Sequence, residues 1–208
     1  YAVRLLVQDT PAYWDGTFAI FDPTTGYQPV FRKPGVLAEP SIFGAQDFNG
    51  DGRAELAITS RNCGAHTCSI GLYIAGWEDG AYVSLISDPG NPRPQSVSLL
   101  EAPDQIKFAD SNDDGLRDLV ARSGIVNSVG AGPQRQATKT YLWDGRRYTF
   151  ASVVWDSSNL RYFRVRAADE AFAAGNYAAA IALYQQAISG EGLEDVPYFD
   201  SREELMAY

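Results

Sequence analysis

The chain has 208 residues, which is long enough to bury one sizeable core or two modest ones without crosslinks. Its 17 basic and 26 acidic side chains give a formal charge of -9, and 45% of its residues are apolar. This charge argues against sequence-independent binding to nucleic acid or to anionic membranes, because both require clustered lysine and arginine. Metal cations or basic partners fit it better.

Neither a membrane span nor a signal peptide is expected from the sequence. No Met precedes the first residue, and nowhere do 18 apolar residues follow one another. Because the first residue is Tyr1 rather than Met, we expect a processed or cut N-terminus.

A repeated tryptophan motif organises most of the chain. It reads WDGTF from Trp14, WEDGAY from Trp77 and WDGRRY from Trp143, so that the copies begin 63 and 66 residues apart. An Asp-rich stretch keeps the same phase, since Asp47 and Asp110 each lie 33 residues after a tryptophan of the motif. Two motifs in one phase indicate an internal repeat, as in arrays and propellers. We interpret each D-G dipeptide as a hairpin turn beside a packed aromatic ring.

Alternating apolar runs predict strands in groups along the chain. Residues 2–8 and 17–22 would be the last two strands of an incomplete unit, before a Pro- and Gly-rich loop over 21–35. Two complete units follow, separated by a similar loop over 87–95. Their predicted strands are 41–48, 55–60, 69–77 and 81–87, then 104–110, 118–126, 138–144 and 147–155. The predicted fold is mainly β, with two and a half four-stranded, propeller-type blades in a domain over 1–157.

The periodicity becomes helical from about residue 159. Two apolar stripes, separated by Gly175, predict an αα-hairpin in a second domain over 158–208. The first stripe comprises Phe163, Ala167, Ala168, Ala171 and Phe172, and the second comprises Ala180, Ile181, Tyr184, Ala187 and Ile188.

The two Asp-rich loops carry oxygen-bearing side chains at positions 1, 3, 5 and 9, a glycine at position 6, and a usable backbone carbonyl at position 7. The candidate ligands are Asp47, Asn49, Asp51, the carbonyl of Arg53 and Glu55 in the first loop, and Asp110, Asn112, Asp114, the carbonyl of Leu116 and Asp118 in the second. Hard oxygen ligands in a flexible loop suit Ca²⁺, whereas Mg²⁺ prefers fewer protein ligands and more water. We therefore predict two calcium sites. They are not helical EF-hands, because position 12, where that loop has Glu, is Ile58 or Ala121.

The stretches FGAQDFNGDGRAELAI and FADSNDDGLRDLVA resemble the D-x-[DN]-x-D-G-x-x-[DE]-L loops of FG-GAP and VCBS repeats, which occur in integrin-α-type β-propellers and bacterial surface proteins. The resemblance covers roughly residues 1–157. It implies a mainly structural calcium ion in each loop, at the outer edge of a blade. Family propellers close with about seven blades. With two and a half blades, the chain would be a fragment of a larger propeller, or its blades would form an open stack. A third alternative is that another chain or the helical tail covers the exposed sheet edge.

The tail resembles a tetratricopeptide repeat, with Ala168, Gly175, Tyr177, Ala180, Tyr184 and Ala187 at that family's spacing. A single repeat of this kind cannot form a solenoid. The hairpin could cap the β part or bind a partner.

Two cysteines, Cys63 and Cys68, lie close together in the sequence. Three interpretations stay open for them: one small disulfide in an oxidising compartment, free thiols, or a metal site completed by His66.

The leading hypothesis is a non-enzymatic, calcium-stabilised binding or adhesion module of an exported, bacterial-type protein, outside the cell or on its surface. Its partner would be a protein or a glycan, and exposed sheet edges would allow self-association or further blades. One alternative is a glycosidase- or sialidase-like enzyme fragment, because SNDDGLRDL resembles the Asp-box S-x-D-x-G-x-T-W without its Thr and Trp. A single histidine leaves little for Ser-His-Asp or Cys-His catalysis. The other alternative is an intracellular scaffold built around the helical hairpin.

Overall fold

The structure is a computed structural model that describes residues 2–9, 14–33, 40–63, 68–87, 97–100, 103–125, 132–190 and 192–195. The chain divides into two compact units. The first comprises Tyr1–Val126 and Gln136–Val154, and the second comprises Asn127–Arg135 and Trp155–Tyr208. All the named strands begin in the first unit, and both helices lie in the second.

Three sheets form the described part of the first unit. The first sheet has the order β1 (Ala2–Asp9), β2 (Trp14–Asp22), β3 (Gln28–Lys33). The second has the order β4 (Pro40–Gln46), β5 (Glu55–Cys63), β6 (Cys68–Glu78), β7 (Ala81–Ser84), with β9 (Val97–Leu100) also paired to β6. The third has the order β10 (Pro103–Ala109), β11 (Asp118–Ser123), β12 (Ala137–Trp143), β13 (Tyr148–Trp155), β8 (Ile86–Ser87). A mainly β architecture with helices at its C-terminal end is confirmed.

The chain passes from the second sheet to the third within the predicted strand 81–87, which is split into β7 and β8. Leu85 lies at the split: its N–H donates to the carbonyl of Ile74 in β6 at 2.9 Å, and its own carbonyl accepts from Tyr148 in β13 at 2.7 Å. Residue 85 therefore joins two sheets through its backbone hydrogen bonds.

The predicted loop over 21–35 is wrong in part, because residues 28–33 form β3. Its prolines suggested a loop, yet β3 is the edge strand of its sheet, where a missing N–H breaks no inner ladder bond. The pairing with β2 also shifts register beside Pro29. The other predicted loop lies almost wholly outside the described residues.

The D-G dipeptides of the tryptophan motif differ in what they do. Asp79 and Gly80 both have positive φ, at 47° and 88°, and make a two-residue hairpin turn between β6 and β7, as predicted. The dipeptide at 144–145 also connects two strands, β12 and β13. The predicted turn at Asp15–Gly16 is wrong, since both residues lie inside β2 and pair with β1.

The middle sheet is buried on both faces. Leu56 and Ile58 of β5 pack against Phe18 and Ile20 of the first sheet, whereas Ala57 belongs to the core shared with the third sheet. The same alternation runs along β6. Tyr73 and Ala75 belong to the core shared with the first sheet, and Leu72 and Ile74 belong to the core shared with the third sheet. Because each side of these strands faces apolar neighbours, the sequences LAI at 56–58 and LYIA at 72–75 carry no charged side chain.

The second unit contains α1 (Arg161–Ala173) and α2 (Tyr177–Ser189). Gly175, at φ 76°, and Asn176, whose side chain accepts from the N–H of Ala179, end one helix and start the other. The predicted stripes are only partly buried: Phe163, Ala168, Ala180 and Ala187 are buried, whereas Phe172, Ile181 and Ile188 are exposed. Within the described chain, neither helix has the length and apolar character needed to cross a bilayer.

The sulfur of Cys68 is disulfide-bonded. Its backbone lies opposite Cys63, the other cysteine of the sequence, in the register of β5 and β6. A thiolate ligand or free thiol at Cys68 is therefore excluded, and His66 lies outside the described residues.

Candidate metal centre

Both Asp-rich loops are eight-residue hairpin connections within a sheet. The first runs from Asp47 to the residue before Glu55 and is closed by the pair Gln46–Glu55 of β4 and β5. The second is closed by the equivalent pair Ala109–Asp118 of β10 and β11. Position 9 of each loop is thus the first residue of a strand, which explains why its carboxylate is buried under the loop rather than exposed.

Backbone conformation is the same in the two loops. The position-6 glycines, Gly52 and Gly115, have φ of 86° and 85°, a region that favours glycine. Position 4 is also left-handed, as Gly50 at 83° in the first loop and as Asp113 at 62° in the second. Asp tolerates this conformation better than most residues. The sharp turn that the sequence predicted at position 6 is present in both loops.

The first Asp of each loop is the group around which the backbone folds. In the first loop, Oδ1 of Asp47 accepts from the N–H groups of Gly50 at 2.6 Å and Asp51 at 3.1 Å, and its Oδ2 accepts from Gly52 at 2.9 Å.

Asp110 does the same in the second loop, where its Oδ2 accepts from Gly115 at 2.8 Å and its Oδ1 accepts from Asp114 at 3.1 Å. The pKa of Asp110 is lowered, chiefly by the N–H of Gly115. These N–H donors stabilise the ionised carboxylate.

Positions 3 and 5 form a second matching contact. Oδ1 of Asn49 accepts from the N–H of Asp51 at 2.8 Å, and Nδ2 of Asn49 donates to Oδ2 of Asp51 at 3.3 Å. Asn112 and Asp114 repeat both bonds, at 3.2 Å and 2.9 Å. The position-5 Asp then accepts from the N–H of position 7, which is Arg53 or Leu116, at 2.8 Å in each loop.

Three carboxylates converge in the first loop. One oxygen each from Asp47, Asp51 and Glu55 lie within 4.8 Å of one another. Carboxylates this close repel one another unless a proton or a cation lies among them. Hard oxygen donors of this kind suit a divalent metal ion, so the cluster could hold one.

Burial and charge repulsion in this cluster act most strongly on Glu55. It is 2% exposed, and its Oε2 accepts from the N–H groups of Phe48 at 2.8 Å and Asn49 at 3.3 Å. Burial raises its pKa, the charges of Asp51 and Asp47 add to that rise, and the two N–H donors oppose it. Its Oε1 has no hydrogen-bond partner within the described chain. This atom is available to an ion.

The second loop does not bring its carboxylates together in the same way. Asp110, Asp114 and Asp118 form no such three-carboxylate group among the described residues. Asp118 is fully buried, its Oδ1 accepts from the N–H of Trp143 at 2.9 Å, and its Oδ2 accepts from the N–H and hydroxyl of Ser111 at 3.1 Å and 2.5 Å. Both oxygens of this side chain, which is one methylene shorter than Glu, are already occupied by protein donors.

Two neighbouring residues of the site were missed by sequence reasoning. Arg117 donates from Nη1 to the carbonyl of Asp47 at 3.2 Å and so connects the two loops. Tyr148 is fully buried, and its hydroxyl has no partner among the described residues. Burial raises its pKa, as do the charges of Glu55 and Asp118. The sequence gives no sign that Tyr148 lies near loops that are distant from it along the chain, because only the stacking of the sheets brings them together.

No protein-family model, curated protein or solved structure matches this chain. The resemblance of its loops to FG-GAP and VCBS repeats therefore stays a prediction from the residues quoted above.

Proposed function

We propose that the chain is a calcium-stabilised, non-enzymatic binding module that works outside the cell or on its surface. The convergence of Asp47, Asp51 and Glu55, in a loop whose internal hydrogen bonds recur 63 residues later, is the observation that carries this proposal. It agrees with the resemblance of both loops to FG-GAP and VCBS repeats.

Calcium would be a structural ion in this account. Asp47, Asp51 and Glu55 would hold it, and the Asn49 amide and the Arg53 carbonyl would complete a set of hard oxygen ligands. Burial is the main cause of the raised pKa of Glu55, and the ion would remove the smaller contribution that repulsion from Asp51 and Asp47 adds to it. Magnesium suits the loop less well, since it retains more of its water and uses fewer protein ligands.

We propose a second, weaker calcium site in the loop from Asp110 to Asp118. The backbone and the contacts of Asp110, Asn112 and Asp114 match those of the first loop. Asp118 is committed to Trp143 and Ser111, however, so the ion would gain one protein ligand fewer and an additional water.

The location outside the cell is supported by the disulfide at Cys68, since disulfides persist in oxidising compartments and are rare in the cytosol. It counts against an intracellular scaffold. Calcium modules outside the cell bind with Kd of about 10⁻⁴ to 10⁻³ M, which suits two surface loops of modest charge.

Thermal unfolding in excess chelator and in about millimolar calcium tests the proposal. We expect calcium to stabilise the chain by about 1 kcal/mol per site, and magnesium at the same concentration to do less. Asp51→Ala should remove most of the effect and Asp114→Ala a smaller part. Glu170→Ala, which removes an exposed acid of α1, is the matched control and should keep it. An equal shift with magnesium, or none with calcium, would reject the proposal.

A further inference from the structure

A cleft opens beside the first Asp-rich loop, between that loop and the two hairpin turns of the tryptophan motif at 79–80 and 144–145. Its volume is about 220 Å³. Sites for drug-sized ligands measure about 300–1,000 Å³. The cleft therefore suits a ligand of about one ring rather than a folded partner or a long peptide.

The cleft lining includes two buried apolar side chains and one exposed aromatic ring. The buried ones are Leu85 and Trp143, and Gly76 lies next to Leu85. The aromatic ring is that of Trp77, which is 36% exposed and meets the ring of Tyr82 edge-on at 5.0 Å. This contact holds the indole in place, so that its exposed part offers a fixed apolar surface to a ligand.

The rim carries both signs of charge. The Arg53 guanidinium has no hydrogen-bond or ion-pair partner within the described chain, and neither has the Asp79 carboxylate. The Arg146 side chain is 70% exposed and donates from Nε to Glu78 at 3.2 Å. Glu78 and Asp79 form the acidic side of the rim. A ligand in the cleft thus meets free donors and free acceptors at the same time.

The charged groups of the rim that do not hold calcium favour a neutral, polar ligand. A cationic ligand would approach the guanidinium groups of Arg53 and Arg146, and an anionic ligand would approach the carboxylates of Glu78 and Asp79. A purely apolar molecule would leave all of these groups without partners. A neutral ring bearing hydroxyls avoids each of these costs, because a hydroxyl both donates and accepts. The less polar face of such a ring can lie on the Trp77 indole.

We propose that this cleft binds one neutral sugar ring, as the terminal unit of a glycan. The inference rests on the proposed function and narrows its ligand to a class. Asp51 and Glu55 belong both to the cleft lining and to the three-carboxylate cluster. A calcium ion in the first loop fixes these two side chains, so sugar binding is tighter with calcium than with chelator.

Saturation-transfer NMR with methyl glycosides of glucose, galactose, mannose, fucose and N-acetylglucosamine, in about millimolar calcium, tests the proposal. At least one glycoside should bind, and its uronic-acid and amino-sugar counterparts should bind more weakly. Trp77→Ala and Arg53→Ala should each weaken binding about tenfold. The controls Trp155→Ala and Arg166→Ala, which remove exposed side chains elsewhere, should not.

Calcium-dependent thermal stabilisation is recorded for every variant, which separates the two proposals. Trp77→Ala changes no calcium ligand and should keep the calcium shift. If no glycoside binds while that shift is intact, or if binding survives both cleft substitutions, the sugar site is overturned and the calcium module stands. If glycosides bind through the cleft with no calcium shift in any variant, the calcium module falls, and with it the claim that calcium tightens sugar binding.

Discussion

Position 9 of the Asp-rich loops shows how one methylene group changes a site. Glu55 and Asp118 both start a strand, and both carry a buried carboxylate under a loop of the same conformation. Glu55 reaches far enough to meet Asp47 and Asp51, and one of its oxygens stays free of protein donors. Asp118 reaches only Ser111 and Trp143. The sequence pattern treats Asp and Glu as equivalent here, but the structure does not.

Shortening Glu55 should therefore weaken calcium binding although the charge is unchanged. We expect Glu55→Asp to lower the calcium affinity of the first loop about tenfold, because the carboxylate would no longer reach the other two. Calorimetric titration of calcium into the chelated chain measures this. Glu170→Asp makes the same chemical change at an exposed position of α1 and should leave the affinity as it is. Equal affinity for Glu55→Asp and the native chain would contradict the assignment.

The unpartnered hydroxyl of Tyr148 gives a second prediction at this scale. A buried hydroxyl without a partner costs about 1–3 kcal/mol of desolvation, and the phenylalanine ring fills the same volume. Tyr148→Phe should therefore leave the free energy of unfolding unchanged or raise it, as measured by urea denaturation without metal. Tyr148→Ala, which empties the space between Phe108 and Trp143, should lower it by about 3–5 kcal/mol. A large loss on Tyr148→Phe would show that the hydroxyl is satisfied in solution.

At the scale of elements, the sequence predicted strands well where the two faces of a strand are distinct or uniformly apolar. All eight strands of the two complete units lie close to their predicted positions, because period-two alternation and D-G turns act locally. The strand Val97–Leu100 was not predicted. The other departures depend on neighbours far away in the sequence. Pro29 is tolerated because β3 is an edge strand, and Asp15–Gly16 stay extended because β1 continues alongside them. Similarly, the split at Leu85 depends on the third sheet.

The contact between β6 and Leu85 can be tested directly. A Cβ added at Gly76 would lie 2.5 Å from Cδ1 and 2.9 Å from Cγ of Leu85. Gly76→Ala should therefore lower the free energy of unfolding by about 1–3 kcal/mol through overpacking. Leu85→Ala alone should cost about 2–5 kcal/mol by opening a cavity.

The double variant Gly76→Ala/Leu85→Ala tests whether overpacking against Leu85 is the cause, because the new methyl group would occupy the space that Leu85 leaves. Its loss in urea denaturation should be smaller than the sum of the two single losses. Additive losses would mean that Gly76 is needed for another reason than room for Leu85.

Glu78 links two hairpin turns through charge. It accepts from Nη2 of Arg147 at 2.8 Å, from Nη1 of the same residue, and from Nε of Arg146 at 3.2 Å. The pKa of Glu78 is lowered from 4.5 to about 2, and the hydrogen bonds from Arg147 are the main cause. A carboxylate with a lower pKa in the folded chain stabilises the fold when the pH is above its pKa in the unfolded chain. This stabilisation is lost as the pH falls toward its pKa in the folded chain.

The native chain should accordingly be more stable than Glu78→Gln at pH 7, and this difference should shrink as the pH falls from 4.5 to 2. Thermal melts of the two proteins across that range, with chelator present, measure it. Glu170→Gln removes an exposed pair with Arg166 on α1 and should show little difference at any pH. A difference between Glu78→Gln and the native chain that is constant with pH would contradict the ion-pair account.

At the scale of the whole molecule, the first unit stacks three sheets so that the middle one is covered on both faces. The sequence repeat predicted most of the grouping of strands, since its copies keep one phase, but it did not predict that residues 86–87 join the third sheet. It could not predict that the carboxylates converge in only one of the two loops, because that depends on the partners of Asp118. On β13, Val154 and Trp155 are exposed at 64% and 44%. Self-association or further blades at exposed sheet edges stay a prediction.

Calorimetric titration of calcium into the chelated chain tests the central claim most directly. We predict two binding events of unequal affinity, the stronger lost in Asp51→Ala and the weaker lost in Asp114→Ala, with magnesium giving much less heat at the same concentration. Absence of calcium binding, or binding that both substitutions leave intact, would contradict the account and reduce the two loops to acidic hairpin connections.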